Sequence, residues 1–227
     1  MRTLLLLLYV WTPLRQETSL EVFVTCQTPE IFSDYHNTNF KQEINPGSDG
    51  LNIKIKSRTL SLQNLNHVIR TAERYVAGQD PVVREIFGQV RLNALSVADY
   101  LKNISAFLRN RIEYSEADLP QEAAAVLVQK KAHCIGFTSV AQTLLACVGI
   151  VSRPVNGFYL RENNKRVEPV PHRWLEIELP GKRRVFYDPQ YQDFSSRYLV
   201  TNLGVPLDRI ERFQGVIVRK NKKIVDE

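Results

Sequence analysis

A cysteine at the start of a helix, a histidine opening a strand and an aspartate closing the next strand are the residues whose types and order could do chemistry here. Cys134 lies in the segment Lys131-Ala132-His133-Cys134-Ile135-Gly136. After it, Phe137, Val140, Ala141, Leu144, Leu145 and Val148 recur at helical spacing up to Gly149. A cysteine in the first turn of a helix meets unpaired backbone N–H groups and the positive end of the dipole. Both favour its thiolate, and the same N–H groups can steady an oxyanion. The thiolate also needs a partner that takes its proton and later gives one to a leaving amine, work that histidine does near neutral pH.

The chain has 4 histidines. His133 adjoins Cys134, and neighbouring side chains at a helix start diverge. His67 sits beside Val68, off the apolar positions of its segment, and reads as a solvated residue. His36, in Asp34-Tyr35-His36-Asn37, reads as structural. His172 opens the strand-like run His172-Arg173-Trp174-Leu175-Glu176-Ile177-Glu178-Leu179. On alternation, His172, Trp174 and Glu176 share one face, and Leu175, Ile177 and Leu179 share the other. A polar face with histidine beside tryptophan is what a site wall would look like, so Trp174 is the candidate substrate contact.

An imidazole in this role wants a carboxylate to orient it. Asp188 ends the next strand, Val185-Phe186-Tyr187-Asp188. A loop centred on Gly181 sets Asp188 opposite Trp174, with His172 its diagonal neighbour on the same face. A loop of even length would throw the aspartate to the other face. The geometry therefore demands an odd loop or a bulge.

Other chemistries find less support. Three cysteines, at 26, 134 and 147, form no Cys-x-x-Cys pair and no complete disulfide framework. Cys147, beside Leu144 and Val148, reads as a small buried hydrophobe. No His/Cys pair has metal-ligand spacing, no acidic loop suits calcium, and no glycine-rich phosphate loop occurs, so neither metal nor cofactor is expected. The formal charge of +6 is concentrated late, with 15 Lys/Arg against 10 Asp/Glu from Val151 onward. No run interleaves bases and aromatics, so this is a mildly basic surface with no nucleic-acid groove.

The elements that must hold these residues divide the 227-residue chain in two. Residues 1–62 read as a β-rich region: a buried strand over Leu4–Trp11, another at Leu20–Val24, then Asn39–Ile44 and Leu51–Lys56 around the turn-forming Asn45-Pro46-Gly47-Ser48-Asp49-Gly50. Residues 63–150 read as helical. Leu65, Val68, Ile69, Ala72 and Val76 predict a helix ended by Gly78, and Val97, Leu101, Ile104 and Leu108 a second, capped by Ser96. Glu122–Val128 has high helix propensity, and the Cys134 helix follows. Residues 151–227 read as sheet: strands at Val155–Leu160, His172–Leu179 and Arg184–Tyr187, then a final hairpin of Gly215–Val218 with Lys223–Val225. Strands, then helices, then strands is an α+β order.

The first residues, Met1-Arg2-Thr3-Leu4-Leu5-Leu6-Leu7-Leu8-Tyr9-Val10-Trp11, admit a signal-peptide reading, hence secretion. No small-x-small cleavage site follows, and the run is short of the ~20 residues a membrane span needs. The preferred expectation is a buried strand with no membrane contact.

From about Val97 to Gln190 the chain resembles the transglutaminase-like family, a branch of the papain-like cysteine enzymes. The resemblance rests on Arg109-Asn110-Arg111-Ile112-Glu113-Tyr114, the segment from Val126 to Leu160 around Cys134, Pro171-His172-Arg173-Trp174, and Val185-Phe186-Tyr187-Asp188-Pro189-Gln190. It implies Cys134 as nucleophile, His172 as general base and then acid, and Asp188 as its orienter. Two departures stand out. Ala132 occupies the position where the family pattern has glycine, and the second oxyanion donor has no motif. The N-terminal strands resemble, more weakly, the β-rich segment of bacterial transglutaminase-like proteins, and this resemblance implies a strand over Leu4–Trp11 and a cytoplasmic chain. Their Asp-x-x-Gly-Asn turn corresponds to Ser33-Asp34-Tyr35-His36-Asn37-Thr38-Asn39-Phe40, which lacks the glycine.

The resulting expectation is a cysteine-dependent acyl-transfer enzyme acting on carboxamide or peptide bonds of a protein or peptide substrate, through a thioacyl intermediate. Water (protease or amidase) and an amine (transamidase) are both open as acceptors, and the segment Arg161–Val170 is the expected place of substrate selection. The competing expectation is a catalytically silent peptide- or protein-binding module of the same fold. Oligomeric state is left open.

Overall fold

The computed structural model describes residues 17–26, 29–58, 65, 67–163, 166–191, 197–201 and 215–223. The expected strand over Leu4–Trp11 lies outside them. Among the described residues four strands come first: β1 (Glu17–Cys26), β2 (Tyr35–His36), β3 (Phe40–Pro46) and β4 (Leu51–Arg58). Helices α1 (Glu73–Ala77), α2 (Pro81–Arg91) and α3 (Val97–Arg111) follow, then β5 (Glu113–Tyr114), α4 (Ala123–Gln129), β6 (Lys131–Ala132) and α5 (Cys134–Ala146). The chain then forms β7 (Ser152–Asn163), β8 (Arg166–Leu179), β9 (Arg183–Tyr187), β10 (Tyr198–Val200) and β11 (Gly215–Lys223). This is the α+β organisation expected.

Three layers result. A four-stranded sheet in the order β10-β7-β8-β9 is the middle one. On one side Leu175, Ile177, Leu179, Val185 and Tyr187 pack into a core shared with α2 to α5. On the other side Val155, Phe158, Trp174, Phe186 and Leu199 pack against Leu20, Val22, Val24, Ile53 and Ile55 of a second, five-stranded sheet. The alternation of β4, with Leu51, Ile53, Ile55 and Ser57 inward and the residues between them outward, is that of a sheet with one covered face. Each of these aliphatic side chains contributes about 1.5–3 kcal/mol when fully buried.

The five-stranded sheet has the order β11-β1-β4-β3-β2, so the last strand returns to the first sheet. The final hairpin expected at 215–225 is instead the single strand β11, paired antiparallel with β1 from Gly215 opposite Cys26 to Lys223 opposite Thr18. Strand β11 thus joins the sheet formed by β1 to β4. The two sheets are also joined by buried polar bonds. Gln42 uses its side-chain amide like a strand backbone, accepting from Val200 N–H and donating to Val200 C=O, both at 2.8 Å. Tyr35 donates to the buried Glu176, which also pairs with Arg153.

Among the helices, α3 starts as expected, with Ser96 and Asp99 in a reciprocal capping box. The long helix expected from Leu65 to Val76 is reduced to α1. Leu65 and Ile69 are buried, but Val68 is 81% exposed. The backbone there is spent on tertiary bonds, with Val97 N–H donating to His67 C=O and Ala72 N–H to Cys147 C=O. His67 is consequently not on a helix, and its Nε2 meets Arg183 at 3.1 Å. Helix α2 was not anticipated, although its signals were present. Asp80 caps it by accepting from Val82 N–H, Pro81 stands in its first turn, and Val83, Phe87 and Val90 form its buried stripe. Among the described residues no helix is long and apolar enough to cross a membrane.

Candidate functional site

The site is assembled where α5 begins beside the middle sheet. A short parallel pairing of β5 with β6 sets Tyr114 against Ala132, and Ser115 N–H donates to Ala132 C=O. This leads the chain into α5 with Cys134 at its first position. His133 is the N-cap, its Nδ1 accepting from Ile135 N–H at 3.3 Å. Gln121 completes the start of the helix from outside. Its Oε1 accepts from His133 N–H at 3.2 Å and Gly136 N–H at 3.0 Å, while its Nε2 donates to Leu119 C=O. Two of the donors that a helix start leaves unpaired are thus satisfied by a side chain 15 residues earlier than Gly136.

The departure at Ala132 has a physical counterpart in Gly136. A Cβ on Gly136 would stand 2.6 Å from the Ala132 Cβ, 2.5 Å from Gln121 Oε1 and 2.9 Å from Val126 Cγ2. Ala132 fits because the residue facing it has no side chain. Gly136→Ala is therefore expected to lower the unfolding free energy by about 1–3 kcal/mol through overpacking. Ala132→Gly added to it should restore part of that loss. Denaturant titration of the single and double variants checks both. A double variant no more stable than Gly136→Ala would mean that the Gln121 contact alone sets the constraint.

His172 comes from β8. The turn at Pro180-Gly181-Lys182 joins Leu179 to Arg183, and beyond it Ile177 faces Val185 and Leu175 faces Tyr187. The loop has an odd number of residues, with Gly181 at φ 80° and Lys182 at φ 57°. Extending that register sets Asp188 opposite Trp174, on the face of His172. His172 Nε2 lies 2.7 Å from Asp188 Oδ2, and both side chains are buried. An ionised carboxylate only accepts, so Nε2 carries the hydrogen. The imidazole also lies near enough to the Cys134 thiol for each to shift the other's titration. The structure thus brings Cys134, His172 and Asp188 to one site.

Asp188 is itself held by its loop, with Oδ1 accepting from Gln190 N–H at 2.8 Å and Tyr191 N–H at 3.1 Å. Trp174 is placed differently from the expectation of an open wall. It has 0% exposure, because the five-stranded sheet covers this face of β8. Its indole lies 6.1 Å from the His172 ring, near parallel to it, and packs edge-on against Phe186. It is a floor under the imidazole, with no surface left for a substrate. Gly157 makes room for this floor: a Cβ there would stand 2.8 Å from the indole Cη2 and collide with Leu199 C=O.

The electrostatics favour an ion pair. Burial pushes the Cys134 thiol up, but hydrogen bonds from His133 and His172, with the His172 charge and the Arg173 backbone N–H, outweigh it and bring it down to about 6. Burial likewise opposes the charge on His172, but the Asp188 carboxylate, then Cys134, raise it to about 9. Cys147 shows the contrast: buried without such partners, its thiol is pushed up to about 11. His133, set aside in the sequence as a neighbour that diverges, here caps the helix and lowers the thiol.

A cavity of about 530 Å³ opens on Cys134 and His133, with Tyr114, Glu116 and Asp118 along one side and Val170 and Pro171 along another. Val170 belongs to the segment expected to select substrate. That segment is an extension of the β7–β8 hairpin, with Asn163 opposite Arg166. Among the described residues no group of three or more His, Cys, Asp or Glu side chains is placed to hold a metal ion. Gln121, Tyr191 and Tyr198 escaped the sequence reading. They reach the site from separate elements, and no periodicity or spacing ties them to Cys134.

Residues 84–189 match the family model of the transglutaminase-like superfamily. Among curated proteins compared by sequence, none matches the chain. Among solved structures, the chain is similar to a proposed cysteine protease from Cytophaga hutchinsonii, at 10% identity and a TM-score of 0.46, covering 94% of this chain and 92% of that one. It is also similar to LapG of Legionella pneumophila, at 15% identity and a TM-score of 0.40 over 60% of this chain and 81% of that one. A third similarity is to a red sea bream transglutaminase, at 14% identity and a TM-score of 0.38 over 82% and 49% of the respective chains.

Proposed function

We propose that this chain, whose residues 84–189 match the family model of the transglutaminase-like superfamily, is a cysteine-dependent acyl-transfer enzyme with Cys134 as nucleophile, His172 as base and acid, and Asp188 as orienter. The observation that carries the proposal is geometric: Cys134 opens α5 on the cavity, close to an imidazole held 2.7 Å from the Asp188 carboxylate. The same neighbours lower the thiol and raise the imidazole, which favours thiolate and imidazolium.

The Cys134 thiolate attacks a carboxamide or peptide carbonyl at the cavity, and its sulfur bonds to the carbonyl carbon. The carbonyl electrons move onto oxygen, where the backbone N–H of Cys134 at the helix start stabilises the charge. The electrons then return, the C–N bond breaks, and the imidazolium gives its proton to the departing amine. A thioester remains, with a neutral His172. Water or a primary amine next gives a proton to His172 as it attacks the thioester carbon, and the collapse expels the Cys134 thiolate. The product is an acid or a new amide, and the enzyme is back in its ion-pair form.

The test is incubation with a glutamine-containing peptide, with and without a primary amine, followed by mass spectrometry of peptide and protein. The expected results are an acyl adduct on Cys134 and conversion of the amide, cleavage of the backbone, or incorporation of the amine, all absent in Cys134→Ala. An intact peptide and an unmodified Cys134, in a protein whose thiol is nonetheless reactive, would exclude this substrate class.

A further inference from the structure

Asp188 accepts four hydrogen bonds, and one of them comes from outside the residues already assigned. Its Oδ1 is taken by the N–H groups of its own loop, while Oδ2 is shared by His172 Nε2 at 2.7 Å and the Tyr198 hydroxyl at 2.6 Å. Tyr198 is fully buried at the start of β10, an edge strand held to β7 by the pairing of Tyr198 with Tyr159. From the other side, Gln42 of the five-stranded sheet binds the N–H and C=O of Val200 in the same strand. The Tyr198 ring rests on Trp174 at 4.9 Å and lies 6.3 Å from the His172 ring. Its hydroxyl is thereby fixed on the oxygen that orients the imidazole.

We infer that Tyr198 is a positioning residue for the acyl-transfer chemistry: its hydroxyl locks Asp188 in place and weakens the grip of Oδ2 on His172, leaving the imidazolium able to protonate a leaving amine. The inference rests on the proposed roles of Cys134 and His172. A hydroxyl bonded to a carboxylate is a charge-assisted donor, about twice as strong as a neutral one. Density it draws from Oδ2 is not available to the imidazolium, and an imidazolium held too tightly is a poor general acid.

The groups facing His172 are Asp188 beyond β9, the Cys134 thiol on α5 and Tyr198 on β10. Tyr191 and Tyr159 face it at 5.1 and 6.2 Å between ring centres. Charges one step further out are Arg161, which bonds Tyr191, and Arg173, which acts on Cys134. Among the described residues, only Tyr198 is seen to share the oxygen that His172 uses.

The experiment follows the rate of Cys134 alkylation by iodoacetamide against pH in the full chain, which needs no substrate. In the native protein the rate should rise through about 6 as the thiolate forms, and again through about 9 as the imidazolium is lost. Tyr198→Phe should move the upper step to higher pH by about half a unit or more, and lower turnover of an acyl donor severalfold. In an Asp188→Ala background the same change should have no further effect on the upper step. Replacing Tyr198 alone with difluorotyrosine keeps the ring and strengthens the donor, so the upper step should move down. An upper step unmoved by either variant, moved in the opposite sense, or moved equally without Asp188 would overturn the inference. A native protein with no step near either value would instead remove the reading on which it rests.

Discussion

His172→Ala is expected to slow alkylation of Cys134 at pH 6 by up to about 20-fold, and to reverse that order at high pH. With its partners the thiol titrates at about 6, so half is thiolate at that pH; His133 also lowers it, so the upper bound is a return to the ordinary 9.0, where only about one part in a thousand would be thiolate. That ratio alone gives roughly 500-fold. A more basic thiolate is a better nucleophile, however, with a sensitivity of about 0.4–0.5 per pH unit, which returns roughly 20- to 30-fold over a three-unit shift. Ionisation wins at pH 6, and above the thiol's new titration point intrinsic nucleophilicity wins. Turnover should fall further, by about 10²- to 10⁴-fold, because the variant also lacks the acid that releases the amine. Time-resolved alkylation with peptide mapping is the measurement, with Cys147, buried and raised to about 11, as internal reference. Equal rates for Cys134 in native and variant protein at pH 6 would mean that His133 and the helix start depress the thiol without His172.

How much of this was legible beforehand depends on the range of the signal. The start of α5 could be read because one apolar stripe, Phe137 to Leu145, lies within a single element. The meeting of His172 with Asp188 could be read because one odd-length turn fixes the register of one hairpin. The helix expected from Leu65 failed because its stripe breaks at Val68, which is exposed, although Leu65 and Ile69 are buried and Val76 packs partly on the core. The backbone at His67 and Ala72 is claimed by bonds to α3 and the end of α5, which no local pattern announces. Strand β11 was split into a hairpin for the same reason, since its partner β1 lies at the other end of the chain.

The surroundings of the site were hidden by long range in a second way. Alternation told correctly that His172, Trp174 and Glu176 share a face, but alternation does not say what covers a face. The five-stranded sheet covers it, turning Trp174 from a wall into a floor and Glu176 into a buried partner of Tyr35 and Arg153. Gln121 illustrates the limit: a glutamine before a helix is unremarkable until its oxygen is seen on two N–H groups around Cys134. The family's glycine position, by contrast, could be judged only in three dimensions, where Gly136 makes Ala132 acceptable.

Cys134→Ala is expected to give the protein a pH dependence of stability that the native chain lacks. Stability changes with pH according to the difference in bound protons between the unfolded and native states. For the native chain between about 6.5 and 9, the unfolded state keeps its proton on cysteine, with an ordinary value of 9.0, while its histidine, at 6.5, has lost one. The folded state has the reverse arrangement, with thiolate and imidazolium, so each state binds about one proton across the pair. The depressed thiol gains stability as pH rises towards 9.0, and the raised imidazole loses it as pH rises above 6.5. The two slopes cancel. Alanine at 134 removes the first and leaves the second, because the Asp188 carboxylate, the larger of the raising influences, still holds the imidazolium. The folded state then binds about one proton more than the unfolded state above 6.5. Its stability should fall by roughly 1.4 kcal/mol per pH unit until His172 itself titrates. Urea titrations of both proteins at pH 7, 8 and 9 read the difference directly. Parallel profiles would mean that His172 is neutral in the folded chain without the thiolate, and that the imidazolium depends on Cys134 more than on Asp188.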